Sequence, residues 1–453
     1  MKYSHTTETA NVFKKRVGVV ADDITGANDI GITFTKGGYS SAVFPLTVLE
    51  SSTITADEVE GLDVIIIDTD SRFDKAGSAA GKVRKALDIL KSISCDVYFN
   101  KTCSVFRGNI GAEFDAMQDA LGISCSMVIA GFPQNGRTTI DGIHYVNGTL
   151  LSETQFKNDP IHPMKVSSLK EIISGQSARN ISNITVSVLD QGIAAVIDEI
   201  VRMKEQSTYI IFDIRDQKDL ALVAEAVKGE MNICGSSAIG EELPRVYNRG
   251  VSLTPITVKS DQKIFDTNGV LLIAGSLTDQ TRDQISYMKR NGCAAFEFHT
   301  ELIFNDDDLM QEIENIAAAA SEQIGNGCDV LIHTSQSADK VENTRLIGQV
   351  YGMPNAMTGK KISSSLCRIT ALIKRRTGFR KLVVAGGDTS AAIAGGLGVR
   401  KMSIAEEIAP GVPNMFGYAK DEILLMVLKS GSFGQEDFLQ QAAASLRDLE
   451  YSK

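Results

Sequence analysis

Tryptophan is absent from the 453 residues, and histidine (5) and proline (9) are scarce. Five histidines with no H-E-x-x-H or paired spacing exclude a histidine-built metal centre. The seven cysteines, at positions 95, 103, 125, 234, 293, 328 and 367, form no C-x-x-C pair. That scatter is the pattern of reduced, buried thiols rather than of a disulfide frame or a zinc site. No uncharged apolar run approaches the roughly 20 residues that span a bilayer, and the opening MKYSHTTETANVFKKR lacks the apolar core of a secretory signal. The expectation is a cytoplasmic protein with no membrane partner. Phosphate-binding fingerprints are missing too: there is no G-x-x-x-x-G-K-[ST], and no G-x-G-x-x-G that follows a strand and opens a helix. Lys+Arg 46 against Asp+Glu 56 leaves a net charge of -10, so no whole-chain field attracts nucleic acid.

What is present is ordinary globular composition, 43% hydrophobic and 23% charged, in a chain long enough for two or three domains. From Val17 onward, short β-branched runs alternate with helical periodicity. The spacing predicts strands at 17–21, 63–68, 96–100, 126–132, 184–188 and 209–213, with a helix over 82–93 whose Val83, Leu87 and Leu90 share one face. A second series predicts strands at 270–275, 293–298, 329–333 and 381–387. Between the two, residues 245–269 are polar and turn-rich and read as a linker. The fold class is therefore α/β, two lobes that are each a mostly parallel sheet flanked by helices, divided as 1–250 and 251–453. Residues 132–163, rich in glycine and proline, read as a functional flap or hairpin arm.

Ligands of open α/β sheets gather at the carboxyl ends of strands, so the residues just after each strand matter most. ADDITGAND puts Asp22 and Asp23 there, able to accept a hydroxyl proton, bind Mg²⁺ or hydrogen-bond a polyol, or to serve as a plain helix cap. DTDSR offers Asp70 and Arg72, a fork suited to a carboxylate or to a surface ion pair. NKTCSVFRGNIG gathers Asn100, Lys101, Thr102, Cys103, Ser104 and Arg107 before a helix, the makings of an anion cradle. In the flap, Arg137 lies between turn glycines, and His144 could help catalysis, although a lone histidine in a hairpin is more often structural. Farther on, LLIAGSLT places Ser276 after a strand, LVVAGGDTSAA places Gly386, Gly387, Asp388 and Thr389 at a strand-to-helix turn, and LLMVLKSGSFG ends in Lys429, Gly431 and Gly434. Small residues at such turns let backbone N–H groups approach phosphate, and they also suit a tight turn with no ligand.

ADDITGA, DTDSR, NKTCSVFRGN, GFPQNGRTTIDGIHYVNG, AGSLTDQT, GGDTSAA, PGVP and KSGSFG, in that order from about Val17 to Phe438, resemble the four-carbon acid sugar kinases. The resemblance implies a two-domain kinase that uses ATP and Mg²⁺ to phosphorylate the terminal 4-hydroxyl of an acid such as D-threonate, D-erythronate or a 3-oxo-tetronate. It implies acid-sugar contacts at Asp22, Asp23, Arg72, Lys101 and Ser104, and nucleotide contacts at Ser276, Gly386 to Thr389 and Gly431. Where the family commonly reads K-x-D-S-T-L-R-G, Cys103 here replaces an acid and Val105 a hydroxyl. The mechanism expected from it has Arg72 and Lys101 holding the substrate carboxylate, Asp22 or Asp23 orienting the hydroxyl, and the lobes closing about their linker. Partners are then the acid sugar and ATP, with a homo-oligomer left open. Two other readings remain, a non-catalytic binding protein on the same scaffold and an NAD-dependent hydroxy-acid oxidoreductase; the missing dinucleotide fingerprint weighs against the second.

Overall fold

The computed structural model describes residues 14–49, 53–159, 161–248, 266–420 and 422–451. Runs such as Val64–Ile67 are apolar at every position because helices cover both faces of a parallel sheet, and all four of these side chains are fully buried. In the amino half the strands are β1 (Val17–Ala21), β2 (Ser41–Pro45), β3 (Val64–Asp68), β4 (Val97–Lys101), β5 (Ser126–Ile129), β6 (Arg137–Ile140), β7 (Ile143–Val146), β8 (Thr149–Leu150), β9 (Ile181–Ile184), β10 (Tyr209–Phe212) and β11 (Asn232–Gly235). The carboxy half adds β12 (Leu271–Ala274), β13 (Ala294–Phe298), β14 (Val330–Thr334), β15 (Lys381–Ala385), β16 (Val399–Ala409), β17 (Val412–Ala419) and β18 (Glu422–Lys429).

Both halves are α/β with mostly parallel strands, as their patterning predicts. They are also joined edge to edge. One sheet runs β13-β14-β12-β15-β18-β17-β16-β2-β3-β1-β4-β11-β5-β10-β9, and the junction is the antiparallel pairing of β16 with β2, Met402 opposite Val43 and Ser403 opposite Ala42. The antiparallel pairs β18–β17, β17–β16 and β16–β2 reverse the chain direction an odd number of times, so the two parallel blocks run in opposite senses across the junction. The sequence reading missed β2 and β11, which are short, β16, which is interleaved with charges such as Glu406 and Glu407, and β17, which is interrupted by Pro413, Asn414 and Gly417. The strand expected at 184–188 ends at Ile184; Thr185 is extended and a helical turn follows over Val186–Leu189. The Asp213 carboxylate causes the switch by accepting the Val186 amide at 3.0 Å, which outweighs the strand preference of the β-branched run. The flap contains a three-stranded antiparallel sheet, β6-β7-β8. Most of the expected linker, and the boundary at 250, lie outside the described residues.

A helix over Ile24–Lys36 is buried at every position from Ile24 to Thr35, because it lies between the two halves. One apolar core runs through it, from Val19 and Ile66 on one side to Ile404 and Met415 on the other. Gly31 permits this approach: a Cβ there would stand 2.8 Å from Ile404 Cγ1 and 3.2 Å from Ile66 Cδ1. At its end Lys36 pairs with Glu241 at 3.4 Å and Glu407 at 3.1 Å, one from each half. Arg400 bridges back to Glu58 at 2.5 Å. Free closure about a linker would have to break this shared sheet and core, so the hinge expected from sequence is replaced by a fixed joint. Gly31→Val should therefore destabilise the whole chain by about 1–3 kcal/mol through overpacking at the junction. Thermal unfolding should show one lowered transition; an unchanged Tm would show that the halves do not bear on each other there.

Candidate active site

Asp22 and Asp23 follow β1, Asp70 and Arg72 follow β3, and Lys101 ends β4 ahead of Thr102, Cys103, Ser104 and Arg107. Adjacent parallel pairing of β1 with β3 and β4 brings these three loops together. At their centre Arg72 is held by two carboxylates: Nε donates to Asp22 Oδ2 at 2.8 Å and Nη2 to Asp22 Oδ1 at 2.7 Å, while Nη1 donates to Asp23 Oδ2 at 2.6 Å and Nη2 to Asp23 Oδ1 at 2.8 Å. Four of the five guanidinium N–H groups are consumed. Asp22, 2 % exposed, is walled in. Asp23 reaches the open space and also caps the helix, accepting from the Gly26 amide and the Thr25 hydroxyl at 2.8 Å each. Burial works to raise its pKa, but Arg72, Lys101 and these two hydrogen bonds outweigh it and hold the carboxyl below its usual range.

The carboxy half contributes three loops. Gly275 and Ser276 follow β12, Gly386 to Thr389 open a helix over Gly387–Gly396 after β15, and Lys429 ends β18 ahead of Gly431. A Cβ on Gly431 would lie 2.0 Å from Ser276 Oγ and 3.0 Å from Ser276 Cβ, so any side chain there would displace Ser276, and Gly386 sits at φ +127°. The Gly431 carbonyl accepts from Thr278 Oγ1 at 2.7 Å, Thr281 Oγ1 at 2.9 Å and Lys429 Nζ at 3.0 Å, so two separate motifs of the sequence are one structure. The halves meet in a cleft of about 670 Å³ walled by Asp23, Arg72 and Arg107 on one side and by Ser276, the Gly386–Thr389 turn and Ser430–Ser432 on the other. A methyl placed on Gly387 would stand 3.6 Å from Asp23 Oδ2, which puts that carboxylate opposite the helix start. A smaller recess of about 50 Å³ opens off the cleft; Asp23, Asp29, Lys101, Cys103, Ser104 and Arg137 line it.

The site fits a nucleotide with Mg²⁺ by the chemistry of its donors. The Gly387–Gly396 helix presents a glycine-built amino terminus to the cleft, the arrangement that receives phosphate. Burial and Asp23 raise the Asp388 carboxyl, and burial pushes Asp70 up to about 6 with Asp388 adding to it. Among the described residues no three histidine, cysteine or acidic side chains gather closely enough to hold a metal alone. Asp70 and Asp388 are hard-oxygen donors of the kind that share Mg²⁺ with phosphate oxygens.

Of the residues expected from sequence, Asp23, Arg72, Cys103, Ser104, Lys101 and Arg107 meet around the recess, and Ser276, Gly386, Gly387, Asp388, Thr389 and Gly431 around the cleft. Asn100 and Thr102 do not reach either space. Strand alternation turns Asn100 to the face opposite Lys101, and both Asn100 and Thr102 are fully buried. Cys103 stands beside Arg107 and Arg72; burial opposes ionisation of its thiol, but the two cations win and lower its pKa. Cys103 thus stands, between two cations, where the resembling family commonly carries an acid. Sequence reasoning missed Asp29, which pairs with Lys101 at 3.5 Å, and Phe156 and Asp159 of the flap, which hold Arg107 by a ring contact of 5.4 Å and an ion pair of 2.6 Å. A lone acid inside a helix and two residues in an irregular loop carry no spacing signal.

His144 is fully buried; its Nε2 donates to the Ser104 carbonyl at 2.9 Å, and Nδ1 meets Thr139 Oγ1 at 3.1 Å. It fastens the flap to the Lys101–Arg107 loop. Burial lowers its pKa to about 4 from 6.5. The unfolded chain therefore binds the proton first as pH falls, and stability present above pH 6.5 is lost toward pH 4, by roughly 3 kcal/mol. In denaturant titrations the stability gap between wild type and His144→Gln should narrow across that window; a constant gap would show that His144 does not carry it.

Residues 17–243 match a family model described as a sugar-binding N-terminal domain, and residues 271–439 match a nucleotide-binding C-terminal domain. A 3-oxo-tetronate kinase of Burkholderia multivorans is 30% identical over 97% of this chain and 99% of its own length. A D-threonate kinase of Salmonella typhimurium is 28% identical over 95% and 98%. A solved Haemophilus influenzae structure superposes with a TM-score of 0.70 at 26% identity, covering 95% of this chain and 100% of that one. Among the described residues no helix is long and apolar enough to cross a membrane. One half that matches the sugar-binding model and one that matches the nucleotide-binding model, with four-carbon-acid kinases similar along nearly the whole chain, place it in the four-carbon acid sugar kinase family.

Proposed function

We propose that the protein is an ATP-dependent kinase that phosphorylates the terminal 4-hydroxyl of a four-carbon sugar acid of the D-threonate, D-erythronate or 3-oxo-tetronate type. The observation that carries this reading is the position of Asp23, which lines both the recess and the cleft and faces the Gly387 helix start. A short acid in the recess has its free end at that carboxylate. Asp23 Oδ2 exchanges its hydrogen bond from Thr25 Oγ1 for one from the substrate hydroxyl and receives that proton as the oxygen bonds to the γ-phosphorus and ADP leaves. Arg72 has another task than the carboxylate grip expected from sequence. Four of its five donors are spent on Asp22 and Asp23, so its main role is to fix the aspartate pair in place. ATP supplies the phosphoryl group and Mg²⁺ offsets its charge. Ser276, the Gly386–Thr389 turn and Gly431 would hold the phosphates, with Asp70 and Asp388 on the metal. The amino half, through residue 250, thus grips the acid and the carboxy half grips the nucleotide.

An ADP-release screen of D-threonate, D-erythronate and their 3-oxo forms with Mg·ATP should show turnover with at least one of them. Asp23→Asn should cut kcat by roughly 10²- to 10⁴-fold while ATP affinity stays within about threefold. Calorimetric binding of an acid without ADP release would instead make the chain a binding protein on a kinase scaffold.

A further inference from the structure

Four cations surround the recess, and three are already neutralised. Arg72 pairs with Asp22 and Asp23, Lys101 with Asp29, and Arg107 with Asp159. The fourth is Arg137, the first residue of β6. Among the described residues it forms no ion pair, and its one side-chain hydrogen bond runs from Nη1 to the Asn135 carbonyl. Its Nε is buried without a partner. A guanidinium has five donors in a planar fork, and one left with its Nε buried and unmet lacks an acceptor.

Its backbone is fixed by hydrogen bonds along the hairpin, and although the residue is partly exposed its Nε is buried. The Arg137 amide donates to the Phe132 carbonyl at 3.0 Å, and the Phe132 amide returns the bond at 2.8 Å. Two residues on, Thr139 exchanges backbone hydrogen bonds with Ile214 at 2.8 and 2.9 Å. His144, opposite Thr139 on β7, ties the same hairpin to Ser104. Arg137 and Lys101 line the recess but not the nucleotide cleft, whereas Asp23, Arg72 and Arg107 line both. Arg137 therefore lies at the inner end of the site. Lys101 is the other inner cation, but it is turned toward Asp29 and donates to the Thr102 carbonyl at 3.0 Å. The volume, about 50 Å³, holds roughly three to five water-sized centres, the scale of a carboxylate and its neighbouring carbon. Asp29 Oδ1, also buried and without a partner, offers an acceptor for a hydroxyl along the way.

We propose that Arg137 of the hairpin binds the substrate carboxylate and thereby selects acids over neutral polyols and sets which hydroxyl reaches Asp23. This rests on the kinase reading for the identity of the acid, but the anion site itself is tested by binding alone. In the full chain, Arg137→Met should weaken calorimetric binding of D-threonate, D-erythronate or their 3-oxo forms roughly 10- to 100-fold. Affinity for threitol and erythritol, which have an alcohol in place of the carboxylate, should not change, and ATP affinity should stay within about threefold. Arg137→Lys should recover only part of the acid affinity, because an ammonium cannot reproduce the two-pronged contact. If Arg137→Met fails to fold, the lysine variant decides. Acid affinity equal to wild type in either variant, or joint loss of acid and ATP binding in a folded variant, overturns the anchor even where ADP release upholds the kinase. Acid binding that depends on Arg137 in a chain that releases no ADP upholds the anchor and sinks the kinase. A wild type that binds none of the four acids overturns both.

Discussion

The guanidinium of Arg72, clasped by two adjacent carboxylates, is the interaction on which the site depends. A buried ion pair repays its desolvation only with good geometry and full hydrogen bonding, and this one has four charge-assisted bonds of 2.6–2.8 Å. One net negative charge remains for the three groups. Against the effect of burial, Asp23, the partner that reaches the cleft, has its carboxyl held below the usual range by Arg72 and Lys101. Removing Arg72 would leave two carboxylates side by side in a low-dielectric space, where one would have to take a proton. The residue thus sets the charge state of the site as well as its shape.

The second constraint is the joint between halves. Groups from the two halves can act on one reaction only if they are brought to a reactive separation. Pairing of β16 with β2 and the buried helix over Ile24–Lys36 make the separation a property of one continuous core. Asp23 is the cap of that same helix, so the candidate catalytic carboxylate is placed by the element that joins the halves.

Much of this was legible from residue order. Parallel strands buried on both faces are continuous apolar runs, and runs such as Val64–Ile67 stand out in the text; polar residues clustered just after them mark the ends where ligands collect. That logic reached Asp23, Arg72, Lys101, Ser104, Ser276 and the Gly386–Thr389 turn. It failed where meaning depends on partners distant in the chain. Arg72 reads as a carboxylate binder until its neighbours prove to be Asp22 and Asp23, 50 and 49 residues away. Asn100 reads as part of a cradle until strand alternation turns it inward. Arg137 is only a residue between turn glycines of the flap until the other cations of the recess are found to be paired.

The α/β class, the two-part division of strands and the chemistry at strand ends are determined by the sequence alone, because periodicity and local turn residues act over a few neighbours. The tertiary structure alone decided that the halves share one sheet, that Asp23 rather than Asp22 faces the cleft, and which cation is unpaired. Each of those depends on contacts between segments tens to hundreds of residues apart. Charge pairing and burial are set by what a side chain meets in space, and no local pattern in the chain encodes that.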